Sequence, residues 1–256
     1  MVQSTTDLTK FEGVPFAGTA AVPAAEFVYL QSGGDSGRVP RFFDRLSVAE
    51  RQTITASSKL LKLKRGELLF RQASPHGGIY IIRKGRIRTF FVAPSGREIT
   101  LAYWSASHFV GGPEVFGGGS HVWSGMAMLD SEVIYLDRTQ LVKLIQEVPA
   151  FALALIEGLV FKGQCFSSLV QMLGTRSASS RLANVLLNLS EIHGRAVGDE
   201  IWIMRSFTHD ELASMIGVTR QWVSVTLSKF RDQGMVRTEG RRLIVMNHEK
   251  LRASSN

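Results

Sequence analysis

The residues best equipped for chemistry lie near the C-terminus, where Arg220 and Gln221 follow Thr219 at the start of a short amphipathic stretch. Arginine donates two hydrogen bonds to guanine and glutamine pairs with adenine through its amide, so both suit direct reading of base edges. Ser224 follows one helical turn later as a third candidate for contact with DNA. Thr208, Thr219, Lys229 and Arg231 carry the hydroxyls and charges that hold phosphates, contacts that position a protein on a duplex and carry little sequence information. A solvated helix start has the same composition as Arg220-Gln221, so the elements around these residues decide what they can do.

Thr208 and Glu211 have the spacing of a capping box that opens a helix carrying Leu212, Ala213 and Ile216. Gly217 ends that helix, and Thr219 caps the next, which runs through Trp222, Val223, Leu227 and Phe230 to Gly234. Two short helices joined by so tight a turn form a helix-turn-helix, whose second helix can enter a major groove with its N-terminal end toward the bases. Met235 to Thr238 and Arg242 to Val245, joined through Glu239-Gly240-Arg241, read as a hairpin wing. Upstream, Arg181 to Ile192 is an amphipathic helix, followed by a strand from Glu200 to Met204.

From Pro149 the apolar period is about 3.5, with Ile156, Leu159, Gly163, Phe166, Val170 and Leu173 at alternating steps of three and four. Such a stripe is either the seam of a two-stranded coiled coil or a helix face packed on its own domain, and the stripe alone does not distinguish them. In a seam, Gly163 would permit close backbone approach or leave a ligand-sized gap. Gly174 and the serines at Ser177, Ser179 and Ser180 predict an interruption and a new N-cap.

Before the long helix the chain reads as short β runs at Leu60 to Leu63, Glu67 to Phe70, Gly78 to Arg83, Gly85 to Val92, Glu98 to Trp104 and Glu132 to Leu136. Ser95-Gly96 and Lys84-Gly85 are hairpin signals, and Gly66 and Gly77-Gly78 are expected to supply positive φ at roll corners. The expected fold class is therefore α+β: an antiparallel β-roll, a long dimerisation helix and a winged helix-turn-helix. The expected units are a flexible extension over 1–39, a roll over 40–148, a helix over 149–174 and a DNA-binding domain over 175–256.

Composition agrees with this reading. A chain of 256 residues, 45% hydrophobic, can bury a substantial core, and a formal charge of +8 favours polyanionic partners. Residues 175–256 hold 12 basic and 8 acidic side chains, making this the denser positive surface. Cys165 is the only cysteine, which excludes an intrachain disulfide and a four-cysteine iron-sulfur cluster within one chain. No apolar run is expected to reach the 18 or so residues of a transmembrane helix. The Ala-rich stretch near Ala20 contains Pro15, Pro23 and Glu26 and lacks a basic leader, so a cytoplasmic location without membrane contact is expected.

Taken in order, R-G-E-L-L-F from Arg65, I-Y-I-I-R-K-G from Ile79, F-V-G from Phe109, R-L-A-N-V-L-L-N-L from Arg181 and T-H-D-E-L-A-S-M-I-G-V-T-R-Q-W-V-S from Thr208 resemble the CRP/FNR superfamily of bacterial transcription regulators over roughly residues 41 to 246. The resemblance implies a jelly-roll-like sensor of cyclic-nucleotide-binding-domain type. It also implies a homodimer whose paired helices relay sensor state to two recognition helices on a near-palindromic duplex, with RNA polymerase as downstream partner and activation as the habitual outcome. Arg220 matches the family's guanine-reading arginine. Gln221 stands where glutamate is usual and Val225 where many members have a second arginine, which changes the expected half-site.

In cyclic-nucleotide-binding members a glutamate follows the F-x-G segment and an arginine clamps the phosphate. Here Glu114 is displaced from Gly111 by about two positions relative to that pattern, and no arginine lies between Arg97 and Arg138. The expected effector is accordingly a small molecule other than a cyclic nucleotide, its identity unknown. Gly111, Glu114, His121, Val122, Trp123, Phe166 and Ser167 are the candidate pocket residues. Trp104, Phe109, Phe116, Trp123 and Phe166 suit an aromatic effector if they converge, though core packing explains them equally. His121, near the missing arginine, is a candidate partner for an organic carboxylate or, with His108 and His76, for haem; packing histidines have the same appearance. A metal-dependent enzyme on a similar barrel requires close H-x-H spacing, absent here, so no metal site and no enzymatic activity are expected. Cys165 is either an inert core residue or a redox thiol near the seam.

Overall fold

The computed structural model describes residues 41–111, 116, 118–240 and 242–255. The extension expected over 1–39, and Glu114, lie outside them. A 3-10 turn at Phe42–Arg45 leads into helix α1 (Val48–Ala56), opened by a capping box in which Ser47 and Glu50 satisfy each other's backbone N–H. Eight strands follow: β1 (Lys59–Leu63), β2 (Leu68–Phe70), β3 (Gly78–Lys84), β4 (Arg86–Val92), β5 (Glu98–Ser105), β6 (Phe109–Val110), β7 (Ser124–Ala127) and β8 (Ser131–Asp137). They form two four-stranded antiparallel sheets ordered β1-β8-β3-β6 and β2-β7-β4-β5. This is the antiparallel roll that the sequence predicts.

One of those sheets is covered on both sides, which explains its nearly unbroken apolar text. Successive side chains of a strand point to opposite faces. On β3, Ile79 and Ile81 join an apolar cluster with Phe42, Phe43 and Phe151, whereas Ile82 joins a second cluster with Ile87, Ala127 and Val133. The first cluster also holds Leu141 and Leu144 of helix α2 (Arg138–Glu147), an element the sequence reading passed over. Its N-terminus is fixed by a second capping box, Asp137 with Gln140.

Gly66, Gly85 and Gly96 adopt the left-handed backbone expected of roll corners, with φ of 88°, 97° and 78°. Gly77 and Gly78 do not, contrary to expectation. Gly78 lies within β3, where an added Cβ would stand 2.0 Å from the Leu136 carbonyl oxygen on β8, so this glycine is required by close approach of two strands.

The long helix α3 (Pro149–Thr175) starts with proline in its first turn and runs 27 residues. Gly174 does not interrupt it; the helix passes through to Thr175, and the break comes at Arg176, whose backbone is extended. Ser177 then caps helix α4 (Ala178–His193), as its position predicts. Contrary to the sequence expectation, α3 is long and apolar enough to cross a membrane by length and composition, with a mean hydropathy of 1.4 over its most apolar window. That average sums two different apolar faces. Phe151, Ala154, Leu155, Phe161, Cys165, Leu169 and Met172 are buried within the chain, while Leu153, Ile156, Leu159, Val160 and Val170 are each more than half exposed.

The C-terminal part comprises α4, strands β9 (Gly194–Val197) and β10 (Glu200–Ile203), helices α5 (His209–Ile216) and α6 (Arg220–Asp232), strands β11 (Val236–Glu239) and β12 (Arg242–Val245), and helix α7 (His248–Ala253). Its sheet has the order β11-β12-β10-β9. It meets the roll along β5, where Thr100 Oγ1 lies 3.0 Å from Ser214 Oγ of α5 in a buried hydrogen bond. At the α3–α4 junction the Arg181 guanidinium donates to the carbonyls of Leu173 and Arg176, at 3.3 and 3.1 Å. These bonds occupy carbonyls at the end of the long helix that its own backbone leaves unpaired.

Gly78→Ala should lower the urea midpoint by an amount equivalent to roughly 1–3 kcal/mol, because the added methyl must force β3 from β8. Equilibrium unfolding checks this, and an unchanged midpoint would show that the two strands separate freely.

Candidate nucleic-acid interface and effector pocket

The helix-turn-helix is built as its caps dictate. Thr208 accepts from the Glu211 N–H at 3.1 Å and Glu211 accepts from the Thr208 N–H at 2.8 Å. Gly217 closes α5 in the left-handed region at φ 69°, and Thr219 accepts from the Trp222 N–H at 3.2 Å. Helix α6 buries Val223, Thr226, Leu227 and Phe230. Arg220, Gln221, Val225, Lys229 and Arg231 are exposed.

The side chains on this surface have partners of their own. Arg220 Nε stands 3.8 Å from the Asp210 carboxylate in an ion pair more than two-thirds exposed at both ends, a geometry that holds the guanidinium weakly. Ser224 Oγ donates to the Arg220 carbonyl at 3.1 Å and lies 2.7 Å from His209 Nδ1. His209 is thus a neighbour of the expected base-reading residues that sequence reasoning missed, because the contact joins two helices. Arg231 donates to Ser228 Oγ at 2.8 Å. Both threonine hydroxyls serve as caps, so their capacity for phosphate lies in the helix N-termini they finish as well as in the hydroxyls. In the wing, Arg237 is clasped by Glu200 and Glu239, whose carboxylates raise its pKa further. It thereby ties β11 to β10.

The expected effector residues are only partly brought together. Trp123 and Phe166 are half-buried and meet with ring centroids 5.8 Å apart, joining the roll to α3. Ser167 and Val122 are exposed. Gly111 adopts a φ of 146°, beside Gly78 and Ile79. The five aromatic residues do not converge: Trp104 is fully buried and donates to Thr89 Oγ1 at 3.0 Å, while Phe116 is half exposed. His121 is buried, its ring stacked on Phe70 at 4.2 Å and beside His76 at 4.1 Å. Burial and then the neighbouring His76 push its pKa down to about 4. Its ring faces are covered by Phe70 and His76, and its Nδ1 is buried without a hydrogen-bond partner. His108 is likewise pushed down to about 4, by burial first and then by Lys162 and Arg41. Among the described residues, no group of three or more His, Cys, Asp or Glu could hold a metal ion. Cys165 is fully buried and its thiol pKa is pushed up to about 11 by that burial, the opposite of a reactive thiolate.

Comparison with known proteins follows the same division of the chain. A cyclic nucleotide-binding domain model matches residues 60–148 and a Crp-like helix-turn-helix domain model matches residues 180–254. The chain is 26% identical over 205 residues to the CRP-like cAMP-activated global transcriptional regulator of Mycobacterium tuberculosis, covering 79% of this chain and 92% of that protein. It is 25% identical to the transcriptional activator protein anr of Pseudomonas aeruginosa, over 74% of this chain and 77% of the relative. In fold it resembles the c-di-GMP responsive global regulator CLP of Xanthomonas campestris, with a TM-score of 0.71, 18% identity, and coverage of 78% of this chain and 100% of that one.

The depressed imidazoles of His108, His121 and His193 make stability depend on pH. An unfolded histidine binds its proton near pH 6.5, whereas His108 and His121 in the fold resist it until about 4. The unfolded state therefore holds more protons between those values, and stability present above pH 6.5 is lost as pH falls toward 4. By pH 5 His108 and His121 should each withdraw about 2 kcal/mol. Urea midpoints measured at pH 7.5 and 5 test this, and His121→Phe, which keeps the stack without the titration, should flatten part of the slope.

Proposed function

Because the chain belongs to the CRP/FNR family of transcription regulators, we propose that it acts as a homodimer that reads a near-palindromic site in double-stranded DNA. In this reading it activates transcription with RNA polymerase as its partner. The observation that carries the proposal is the N-terminal end of α6, where Arg220 and Gln221 are exposed while the opposite face is locked into the domain core. Arg220, Gln221 and Ser224 contact bases. Thr208, Thr219, Lys229 and Arg231 contact phosphates, a role whose strength falls with salt as counterions are released.

Dimerisation is supported by the second face of α3. Ile156, Leu159 and Val170 are 55%, 57% and 69% exposed, and Gly163 has open space where a Cβ would stand. Phe166 and Leu173 flank that face half-buried. Two such helices pack as a coiled coil and set the recognition helices about one duplex turn, roughly 34 Å, apart. In this division residues 40–148 sense, 149–174 dimerise and 175–256 bind DNA, with the regulator working in the cytoplasm.

The effector is a small molecule other than a cyclic nucleotide, received near Trp123 and Phe166. In support, the roll has no arginine between Arg97 and Arg138, so a cyclic phosphate lacks a guanidinium partner there. The names of the relatives themselves specify different effectors, cAMP in one and c-di-GMP in another. Family membership therefore does not select one.

Selection from a random duplex pool tests the DNA reading. The wild type should enrich a two-fold symmetric sequence, and Arg220→Ala should lose roughly 1–3 kcal/mol per contacted half-site without changing oligomeric state. Gln221→Glu should shift preference at one position from adenine to cytosine. No enrichment by the wild type would sink the proposal. For the dimer, Leu159→Glu should give a monomer by light scattering, since it buries like charges against each other in the seam; a dimer that persists places the interface elsewhere.

A further inference from the structure

Helix α6 exposes Arg220, Gln221, Val225, Lys229, Arg231 and Asp232. Val225 is the exception among them, an apolar side chain that is 51% exposed and can neither donate nor accept a hydrogen bond. Single apolar residues on a surface are ordinary and by themselves signify nothing. Val225 differs in its position. Four residues turn a helix through about 400°, so Val225 stands about 40° round from Gln221 and roughly 6 Å farther along the axis. Gln221, Val225 and Lys229 thus form one row along α6. Val223, only two residues earlier, lies on nearly the opposite side and is fully buried in the core. Val225 therefore projects away from the core, between the residue placed to read a base edge and the lysine placed to hold a phosphate.

Valine gives the free chain little at this place. It is a poorer helix former than alanine, and half of its side chain faces water. What it provides is rigidity. A valine in a helix keeps one rotamer about 90% of the time, so its two methyl groups form a fixed apolar surface that loses little freedom on contact. In a major groove the group complementary to such a surface is the C5-methyl of thymine, since the other groups on the base edges there are hydrogen-bond donors or acceptors. Over cytosine or adenine the same methyl groups would cover an exocyclic amine and leave it without a partner, which is unfavourable.

We propose that Val225 is a specificity-determining residue that packs its methyl groups on the C5-methyl of one thymine in each half-site, an inference that rests on the reading of α6 as the DNA-recognition helix. The two neighbours in the row then select by different physics. Gln221 discriminates by hydrogen bonds, which fix donor and acceptor, and Val225 discriminates by apolar contact, which requires a methyl group and excludes an amine. With base pairs spaced roughly 3.4 Å apart, the ~6 Å between the two residues places the thymine one or two base pairs from the adenine that Gln221 reads.

Deoxyuridine tests this contact, because uracil differs from thymine by that methyl group alone. The site that the full chain selects from the random duplex pool is resynthesised with uracil for thymine, one symmetric pair of positions at a time, and affinity is measured by fluorescence anisotropy at fixed salt. At one pair the wild type should bind roughly fourfold more weakly per half-site, the effect of removing one buried methyl group. Val225→Ser should bind the thymine and uracil versions of that pair equally. It should also melt as the wild type does, since the position is exposed and serine and valine are similar helix formers. The proposal is overturned if no thymine in the selected site responds to loss of its methyl group, or if the response persists undiminished in Val225→Ser. Failure of the wild type to select any site overturns the reading of α6 itself, and this inference with it.

Discussion

The long helix must satisfy two apolar faces at once, and most of the architecture depends on that constraint. Side chains three and four apart share a face, so residues two apart fall on nearly opposite sides. Phe151, Ala154, Leu155, Phe161, Cys165, Leu169 and Met172 form one stripe, buried against the roll and the C-terminal domain. Leu153, Ile156, Leu159, Val160 and Val170 form the other and remain exposed. A single roll cannot cover both. The helix is therefore anchored to its own roll along one side while its other apolar side stays exposed.

The same helix sets the position of the DNA-binding domain. Met172 and Leu169 share an apolar cluster with Leu212, Ile216 and Val223, while Trp104 and Phe161 extend that cluster into the roll. The buried Thr100–Ser214 bond adds a directional contact to this non-directional burial. Breaking it would leave two hydroxyls unsatisfied unless water enters. The bond lies between β5 and α5, whose C-terminus is joined to α6 and Arg220 by a tight turn.

The surroundings of His121 and Lys162 differ in kind. Around His121 the aromatic rings of Phe70, Tyr80 and His76 satisfy one another by stacking, and the imidazole is neutral because burial disfavours its charge. Around Lys162 the half-buried side chain lays its ammonium over the faces of Trp104 and Phe109. Stacking fills space around His121 but leaves its Nδ1 buried without a hydrogen-bond partner, whereas Lys162 is partly exposed. Thr208, Thr219 and Glu211 illustrate a third case, in which residues with chemical potential are first of all structural caps.

Local chemistry made much of this legible. The Thr208–Glu211 capping box, the left-handed glycines at Gly66, Gly85, Gly96 and Gly217, the proline at the head of the long helix and the hairpin wing all act within a few residues, so the sequence determines them directly. The α+β order of roll, long helix and winged helix-turn-helix followed from the changes of apolar period. What the tertiary structure decided were the relations across distance. The sequence could not show that Gly78 answers to Leu136 on another strand, that Gly174 stays helical, or that helix α2 covers a second face of the roll. The stripe on α3 was visible, but its division into a covered and an open face was not, because period reports only that a face is apolar. The pairing of Lys162 with Trp104 and His108 likewise needs three separate elements to meet, and residues far apart in the chain acquire a common chemistry only when folding removes the water between them.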